Sequence, residues 1–248
     1  MIIGTIALLI NLLFFGGIQE YFLLDKLEKG VKSYVEDKDR RKEILTDLKT
    51  SKAIIKSFNK ERKSKLKVFK VINLDRNTRR QDAEKYFQDR QAELIQFQKK
   101  NITERLNIIE KFSQEEWDNI LAFSAEEAES RISKEIKKAK DPFNSVIDQI
   151  NKSITDSKRQ DQAISILEEF KNKFDAITLK VSSLNASDNK ILQNRNSTFN
   201  DLEAMAKETN ALQKVAINAF IDLHFEMKEV TNESEWDKII KEFNKIIN

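Results

Sequence analysis

The sequence matches itself, without a gap, when it is displaced by 119 residues. Between residues 37 and 120, 17 of 84 positions carry the same residue as the position 119 further along the chain. The two tryptophans, Trp117 and Trp236, fall on each other, each between a Glu and an Asp. Such a repeat indicates one structural unit that is used twice and buries its apolar face against its neighbour. We therefore predict a duplicated unit, with one copy over residues 25–125 and the other over 143–248.

Each unit is predicted to be helical, because four Gly and one Pro leave few positions that end regular structure. In the first copy, apolar residues at helical spacing predict a long helix that begins after Asp37 or Asp39 and ends near Asn73. A capping box from Thr78 to Gln81 predicts the start of a return helix. A second box, from Ser113 to Glu116, predicts a short helix that contains Trp117.

The second copy shows the spacing of a coiled-coil seam. The bend between its two long helices falls either at 185–189 or at 194–197. Both copies are expected to form antiparallel hairpins, which either cover each other as a four-helix bundle or pair across a dimer. The seam of the first helix consists of Ala163, Leu167, Phe170, Phe174, Ile177, Val181 and Leu184.

The N-terminal segment is predicted to be an uncleaved transmembrane helix over residues 1–24. No charged side chain occurs before Glu20, and the apolar run continues to Leu24, long enough to cross about 30 Å of hydrocarbon. No Lys or Arg precedes the run, and Gly16-Gly17-Ile18-Gln19 is a poor signal-peptide cleavage site. The complete fold class expected is therefore all-α, with a transmembrane anchor followed by long helical hairpins.

Charge is distributed unevenly along the chain. Residues 24–125 contain 25 Lys/Arg and 18 Asp/Glu, a net charge of +7, whereas residues 126–248 contain 19 and 22, a net charge of −3. The charges next to the anchor are nearly balanced, so the positive-inside rule leaves its orientation open. We expect a single-pass inner-membrane protein with its soluble part in the periplasm, and the cytoplasm remains the alternative.

The sequence predicts no catalytic site, cofactor or metal. The chain has no Cys, which excludes thiolate nucleophiles and cysteine-based metal sites. His224 is the only histidine, and we expect it to be packed or to lie on the surface. No glycine-rich phosphate loop and no Glu-x-x-His motif occurs.

A stripe of lysines runs along one face of the first long helix, with spacings of three and four residues. The stripe is absent from the second copy, so the hairpin itself does not require it. In one interpretation, Asp82, Asp89 and Glu93 on the facing helix pair with these lysines; in the other, the stripe binds an anionic partner. The seven residues are Lys49, Lys52, Lys56, Lys60, Lys63, Lys67 and Lys70.

Trp117 and Trp236 have two interpretations. They could anchor a partner protein, or each ring could close the open end of its hairpin, which the repeat favours. The pairs Arg76-Asn77 and Arg195-Asn196 are interpreted as turn and cap residues.

The segment Phe112-Ser113-Gln-Glu-Glu116-Trp117 follows an N-terminal apolar segment and opens a helix. In this layout the chain resembles the Spy/CpxP group of periplasmic helical-hairpin proteins, whose helices open with Leu-Thr-x-x-Gln. Glu116 stands where that motif has Gln, and the second copy has Asn232 and Glu235. The resemblance covers two helix caps and the hairpin layout, and it implies a non-enzymatic chaperone or envelope stress sensor.

The sequence thus favours a non-enzymatic, membrane-anchored helical scaffold or accessory subunit that binds a protein partner or a second copy of itself. The alternative is a Spy-like chaperone. Anionic lipid is a further candidate partner for the lysine stripe. Nucleic acid is disfavoured, because no aromatic residues are interleaved on the lysine face.

Overall fold

The computed structural model describes residues 24–123 and 143–246, and every regular element in these ranges is an α-helix. The prediction of a helical, bundle-like protein is confirmed for these residues. The first range, which we call repeat 1, holds α1 (Leu24–Tyr34), α2 (Lys38–Leu74), α3 (Arg80–Ile109) and α4 (114–123). The second, repeat 2, holds α5 (Phe143–Ser153), α6 (Ser157–Gln193), α7 (Phe199–Val230) and α8 (Glu233–Ile246).

The displacement of 119 residues recurs in the helix bounds. The last residue of α5 and both ends of α6 lie 119 positions after the corresponding ends of α1 and α2, and the starts of α7 and α8 lie 119 positions after those of α3 and α4. The bend in repeat 2 therefore falls at 194–198, one of the two places that the sequence left open. The sequence also predicts a junction between the copies at Asp141-Pro142, since the residue before a proline disfavours helix; this pair lies outside the described residues.

Local hydrogen bonds explain where several helices begin. Asp37 accepts a bond from the Arg40 backbone N–H at 2.8 Å, so of the two predicted caps of α2 the structure uses Asp37. Ser113 and Glu116 form the predicted capping box of α4, with bonds of 2.8 and 3.1 Å. The box predicted from Thr78 to Gln81 is wrong, because the Thr78 hydroxyl donates to the Ile72 carbonyl at the end of α2. The side chain that precedes α3 is Arg79, which forms no cap bond.

The two repeats bury their apolar faces against each other. One hydrophobic cluster gathers residues of repeat 2 around Phe69 and Phe87 of repeat 1. The other gathers residues of repeat 1 around Leu202 and Ala206 of repeat 2. Phe87 and Ala206 occupy equivalent positions in the repeats, so the exchange is reciprocal. Of the two arrangements that the sequence left open, the structure shows hairpins that cover each other within one chain.

The helices α3 and α7 lie antiparallel at the centre of this arrangement, where a buried amide pair sets their register. Gln98 donates to the Asn210 side chain at 3.1 Å, and Asn210 returns a bond of 2.8 Å. Gln91 adds a bond to the Asn210 backbone carbonyl. A slip of one turn would leave these buried amides without partners, which costs about 1–3 kcal/mol for each group.

α1 packs closely on α4 through a glycine. A Cβ added to Gly30 would lie 2.8 Å from Cγ1 and 3.0 Å from Cγ2 of Ile120, closer than carbon atoms pack. Leu27, Val31 and Val35 are buried in the same contact. α1 is therefore an amphipathic helix of the domain, with its charged side chains directed away from α4.

The predicted transmembrane architecture needs correction. No helix in residues 24–123 and 143–246 combines the length and apolar character needed to cross a membrane. Leu24, the last residue of the predicted anchor, belongs to the amphipathic α1, and residues 1–23 lie outside the described ranges. The structure thus supports neither the transmembrane helix in the fold nor the single-pass inner-membrane location that depended on it.

Candidate functional site

Trp117 and Trp236 are buried at the contact between the repeats, each 1% exposed. The indole N–H of Trp117 donates to the Gln193 carbonyl at 2.6 Å, and that of Trp236 donates to the Leu74 carbonyl at 2.9 Å. Gln193 and Leu74 are the last residues of α6 and α2. Each ring therefore closes a helix end of the other repeat, and it offers no surface to a separate partner.

Arg76 and Arg195 extend this reciprocal contact. The Arg76 guanidinium donates to the carbonyls of Lys228 and Thr231 at the end of α7. The Arg195 guanidinium donates to the carbonyls of Glu110 and Phe112 after α3. Both arginines thus satisfy carbonyls that a helix end leaves free, and they do so on the opposite repeat.

The structure divides the lysine stripe into three parts. Lys49 and Lys52 line a groove between α1 and α2, and the Lys52 ammonium lies 2.7 Å from the Glu28 carboxylate. Lys70 is half-buried near α8, and burial lowers its pKa. The remaining lysines lie on one exposed face of α2, which spans about 16 Å. We call this set the basic face: Lys56, Lys60, Lys63 and Lys67.

The acids expected to neutralise the stripe pair with other cations. Asp82 bonds to Arg79 at 2.8 Å, and Asp89 lies 3.3 Å from Lys85. Glu93 pairs with Arg90 and, at 2.5 Å, with Lys65. Within residues 24–123 and 143–246, no lysine of the basic face forms an ion pair. The interpretation in which these three acids neutralise the stripe is therefore wrong, and the charge of the basic face remains available.

Two exposed valines flank the basic face. Val68 is 52% exposed and Val71 is 68% exposed. Helical spacing places Val71 one turn after Lys67, and Val68 lies one turn before Val71 at the edge of the face. In repeat 2, Asp175 and Leu179 stand at the positions of Lys56 and Lys60. The combination of four lysines with exposed aliphatic side chains thus belongs to repeat 1 alone.

Two cations beside the basic face have structural roles. Burial lowers the pKa of Lys65, but hydrogen bonds to Glu61 and Glu93 outweigh this effect and raise it overall. Arg62 is buried with its guanidinium 5.9 Å from the centre of the Phe58 ring. Burial, with a contribution from Arg90, lowers the pKa of Arg62 to about 9. Lys65 thus links α2 to Glu93 of α3, and Arg62 packs on Phe58 of its own helix. The lysines of the basic face are exposed to solvent.

His224 is buried in the protein interior, which is one of the two positions that the sequence predicted for it. Its Nδ1 lies 2.9 Å from Asn73 Oδ1, and its ring meets Trp236 edge-on with the ring centres 4.7 Å apart. Burial, and to a smaller extent Lys228, lower its pKa to about 4. The imidazole is therefore neutral near pH 7, and it belongs to the contact between the repeats.

The groove between α1 and α2 includes cations that sequence reasoning missed. Lys38, Arg41 and Lys42 join Lys49 and Lys52 along α2, and Lys32 faces them from α1. The sequence signal was the basic run Lys38-Asp-Arg-Arg-Lys42. Its significance depends on α1 folding back onto α2, a tertiary contact that helical periodicity does not reveal.

No cluster of three or more His, Asp or Glu in the described parts of the chain could hold a metal ion. No protein-family model matches the chain, and no match was found among curated proteins or solved structures. The candidate surfaces must therefore be interpreted from their own geometry and charge.

Proposed function

We propose that this protein is a non-enzymatic helical binding protein, and that the basic face of α2 binds an acidic segment of a partner protein. The observation that carries the proposal is the set of four exposed lysines, Lys56 to Lys67, which form no ion pair with any described residue. A rigid row of uncompensated charge raises the association rate with oppositely charged partners and orients them.

The residues next to the lysines favour a protein partner. Val68 and Val71 expose apolar surface. A simple polyanion would leave this surface exposed to water, whereas a protein partner can bury it in an interface. No aromatic side chain is exposed among the lysines, so the face lacks the stacking surface on which single-stranded nucleic acids depend. An acidic segment with apolar residues at helical spacing matches both the charge and the valines.

The test measures binding of two fluorescent peptides to the full chain by anisotropy. One peptide is poly-L-glutamate, and the other alternates glutamates with leucines at helical spacing. Changing Lys56, Lys60, Lys63 and Lys67 together to Glu should weaken both complexes at least about tenfold, because each contact is charge-assisted. Changing Val68 and Val71 to Ser should weaken only the complex with the leucine-containing peptide.

A matched control reverses four exposed lysines of repeat 2 that form no ion pair with any described residue. This variant has the same net charge as the basic-face variant, and it should bind within about twofold of the original chain at 0.15 M salt, where distant charges are screened. Equal loss in both variants, with unchanged helicity, would show that only net charge matters and would overturn the proposal. The four lysines are Lys158, Lys180, Lys214 and Lys238.

The chaperone that the resemblance suggested gives a different result. A chaperone would suppress the aggregation of an unfolded client at stoichiometric amounts. The proposed function expects no suppression by the full chain, and suppression that survives reversal of the basic face would favour the chaperone.

A further inference from the structure

The groove between α1 and α2 encloses about 460 Å³ and lies at the start of α2. The described residues of its walls include six cationic side chains and one carboxylate, which together carry a net charge of +5. Its volume falls within the range of small-molecule sites, about 300–1,000 Å³, and is too small for a folded partner. The cations are Lys32, Lys38, Arg41, Lys42, Lys49 and Lys52.

The single carboxylate, Glu28, neutralises only part of this charge. It accepts hydrogen bonds from Lys32 at 2.8 Å and from Lys52 at 2.7 Å. These two bonds, with the attraction of both ammonium groups, lower the pKa of Glu28 to about 2, so it is ionised at neutral pH. The other cations, Lys38, Arg41, Lys42 and Lys49, form no ion pair within the described parts of the chain.

The equivalent place in repeat 2 lacks the charge. Ile147 stands at the position of Glu28, Asp161 at that of Lys42 and Glu168 at that of Lys49. Both repeats build the same helix pair, α1 with α2 and α5 with α6. Five of the six cations are replaced in repeat 2 by residues without positive charge, whereas the position of Lys52 carries Lys171. The fold therefore does not require those five cations, and repeat 2 provides an internal reference for them.

We propose that this groove binds a small anion that carries two or more phosphate groups. A phosphate monoester carries a charge of about −1.5 to −2 at pH 7, so two or three phosphate groups neutralise the charge of the groove walls. Five monocarboxylate molecules would be needed to neutralise the same charge. Lys supplies point charges for phosphate, and the Arg41 fork adds directional donors. Among the described residues of the lining, Leu45 is the only large apolar side chain and none is aromatic. The recognised chemistry is therefore the phosphate groups.

The test titrates the full chain with tripolyphosphate by calorimetry in 0.15 M salt. We expect one site, with affinity reduced at least about tenfold when Lys42 and Lys49 are both changed to Gln. Glu28→Gln should strengthen binding, because it removes the carboxylate that pairs with Lys32 and Lys52 and repels phosphate. These changes in opposite directions also exclude misfolding as the explanation. The matched control changes Lys158 and Lys180 to Gln, and it should bind like the original chain.

A second arm distinguishes a soluble ligand from a lipid headgroup. The same variants are sedimented with phosphatidylcholine vesicles that either contain or lack a phosphoinositide bisphosphate. Binding of tripolyphosphate identifies a soluble ligand. A lipid headgroup is identified if binding is confined to the phosphoinositide vesicles and depends in the same way on Lys42, Lys49 and Glu28. The proposal is overturned if neither probe binds at a concentration of 1 mM, since a dissociation constant of about 1 mM is the weakest that a useful site would have. It is also overturned if the groove variants and the control bind equally.

Discussion

Replacing Trp117 by Phe should destabilise both repeats together. The substitution removes the indole hydrogen bond to Gln193 at 2.6 Å, a loss of about 1 kcal/mol. It also leaves space where the larger ring was fully buried against Phe112, which costs about another 1 kcal/mol. We therefore expect the free energy of unfolding to fall by about 2 kcal/mol. Trp236→Phe should cost about the same, because Trp236 makes the equivalent bond to Leu74.

The assay is urea unfolding followed by far-ultraviolet circular dichroism and by tryptophan fluorescence. Each variant retains one tryptophan, which lies in the repeat that was not changed. Because each ring is docked on the other repeat, the fluorescence and dichroism midpoints should coincide and should shift together. The reciprocal packing is refuted if the remaining tryptophan reports an unchanged midpoint while dichroism shows a separate, weakened transition.

Two further predictions concern stability. His224 has a lowered pKa in the folded state, about 4, so the unfolded state binds more protons between pH 6.5 and 4. The free energy of unfolding should therefore fall by up to about 3 kcal/mol as the pH falls from 6.5 to 4. His224→Asn should flatten the decline above pH 5.5 in urea titrations; an identical slope would contradict the assignment. Gly30→Ala should cost about 1–3 kcal/mol by calorimetry, because its Cβ meets Ile120. The cost should shrink in an Ile120→Ala background, and an equal cost would exclude this contact.

Much of the fold could be predicted because local chemistry fixes the helix ends. Asp37 and the Ser113 to Glu116 box are satisfied within three or four residues of sequence, so their caps are visible without any tertiary information. The alignment of the two tryptophans likewise depends only on the chain itself. The start of α3 differs from the prediction because the Thr78 hydroxyl can either accept a bond from a backbone N–H, as in a cap, or donate one. In the structure it donates to the Ile72 carbonyl at the end of α2.

The parts that sequence reasoning missed depend on contacts between distant segments. Helical spacing located the lysine stripe, but only the position of α1 shows that Lys49 and Lys52 line a groove whereas Lys60 and Lys63 face solvent. The apolar run that ends at Leu24 was interpreted as a membrane span. The structure shows that its last residue begins a helix with an apolar face toward α4 and a charged face toward α2.

The most direct test of the proposed function is lysine footprinting by mass spectrometry. The full chain is acetylated with an activated ester, alone and with the leucine-containing acidic peptide at saturation. We expect Lys56, Lys60, Lys63 and Lys67 to lose reactivity in the complex, while exposed lysines of repeat 2 such as Lys180 and Lys214 react as before. Equal protection in both repeats, or protection confined to repeat 2, would contradict the proposed function.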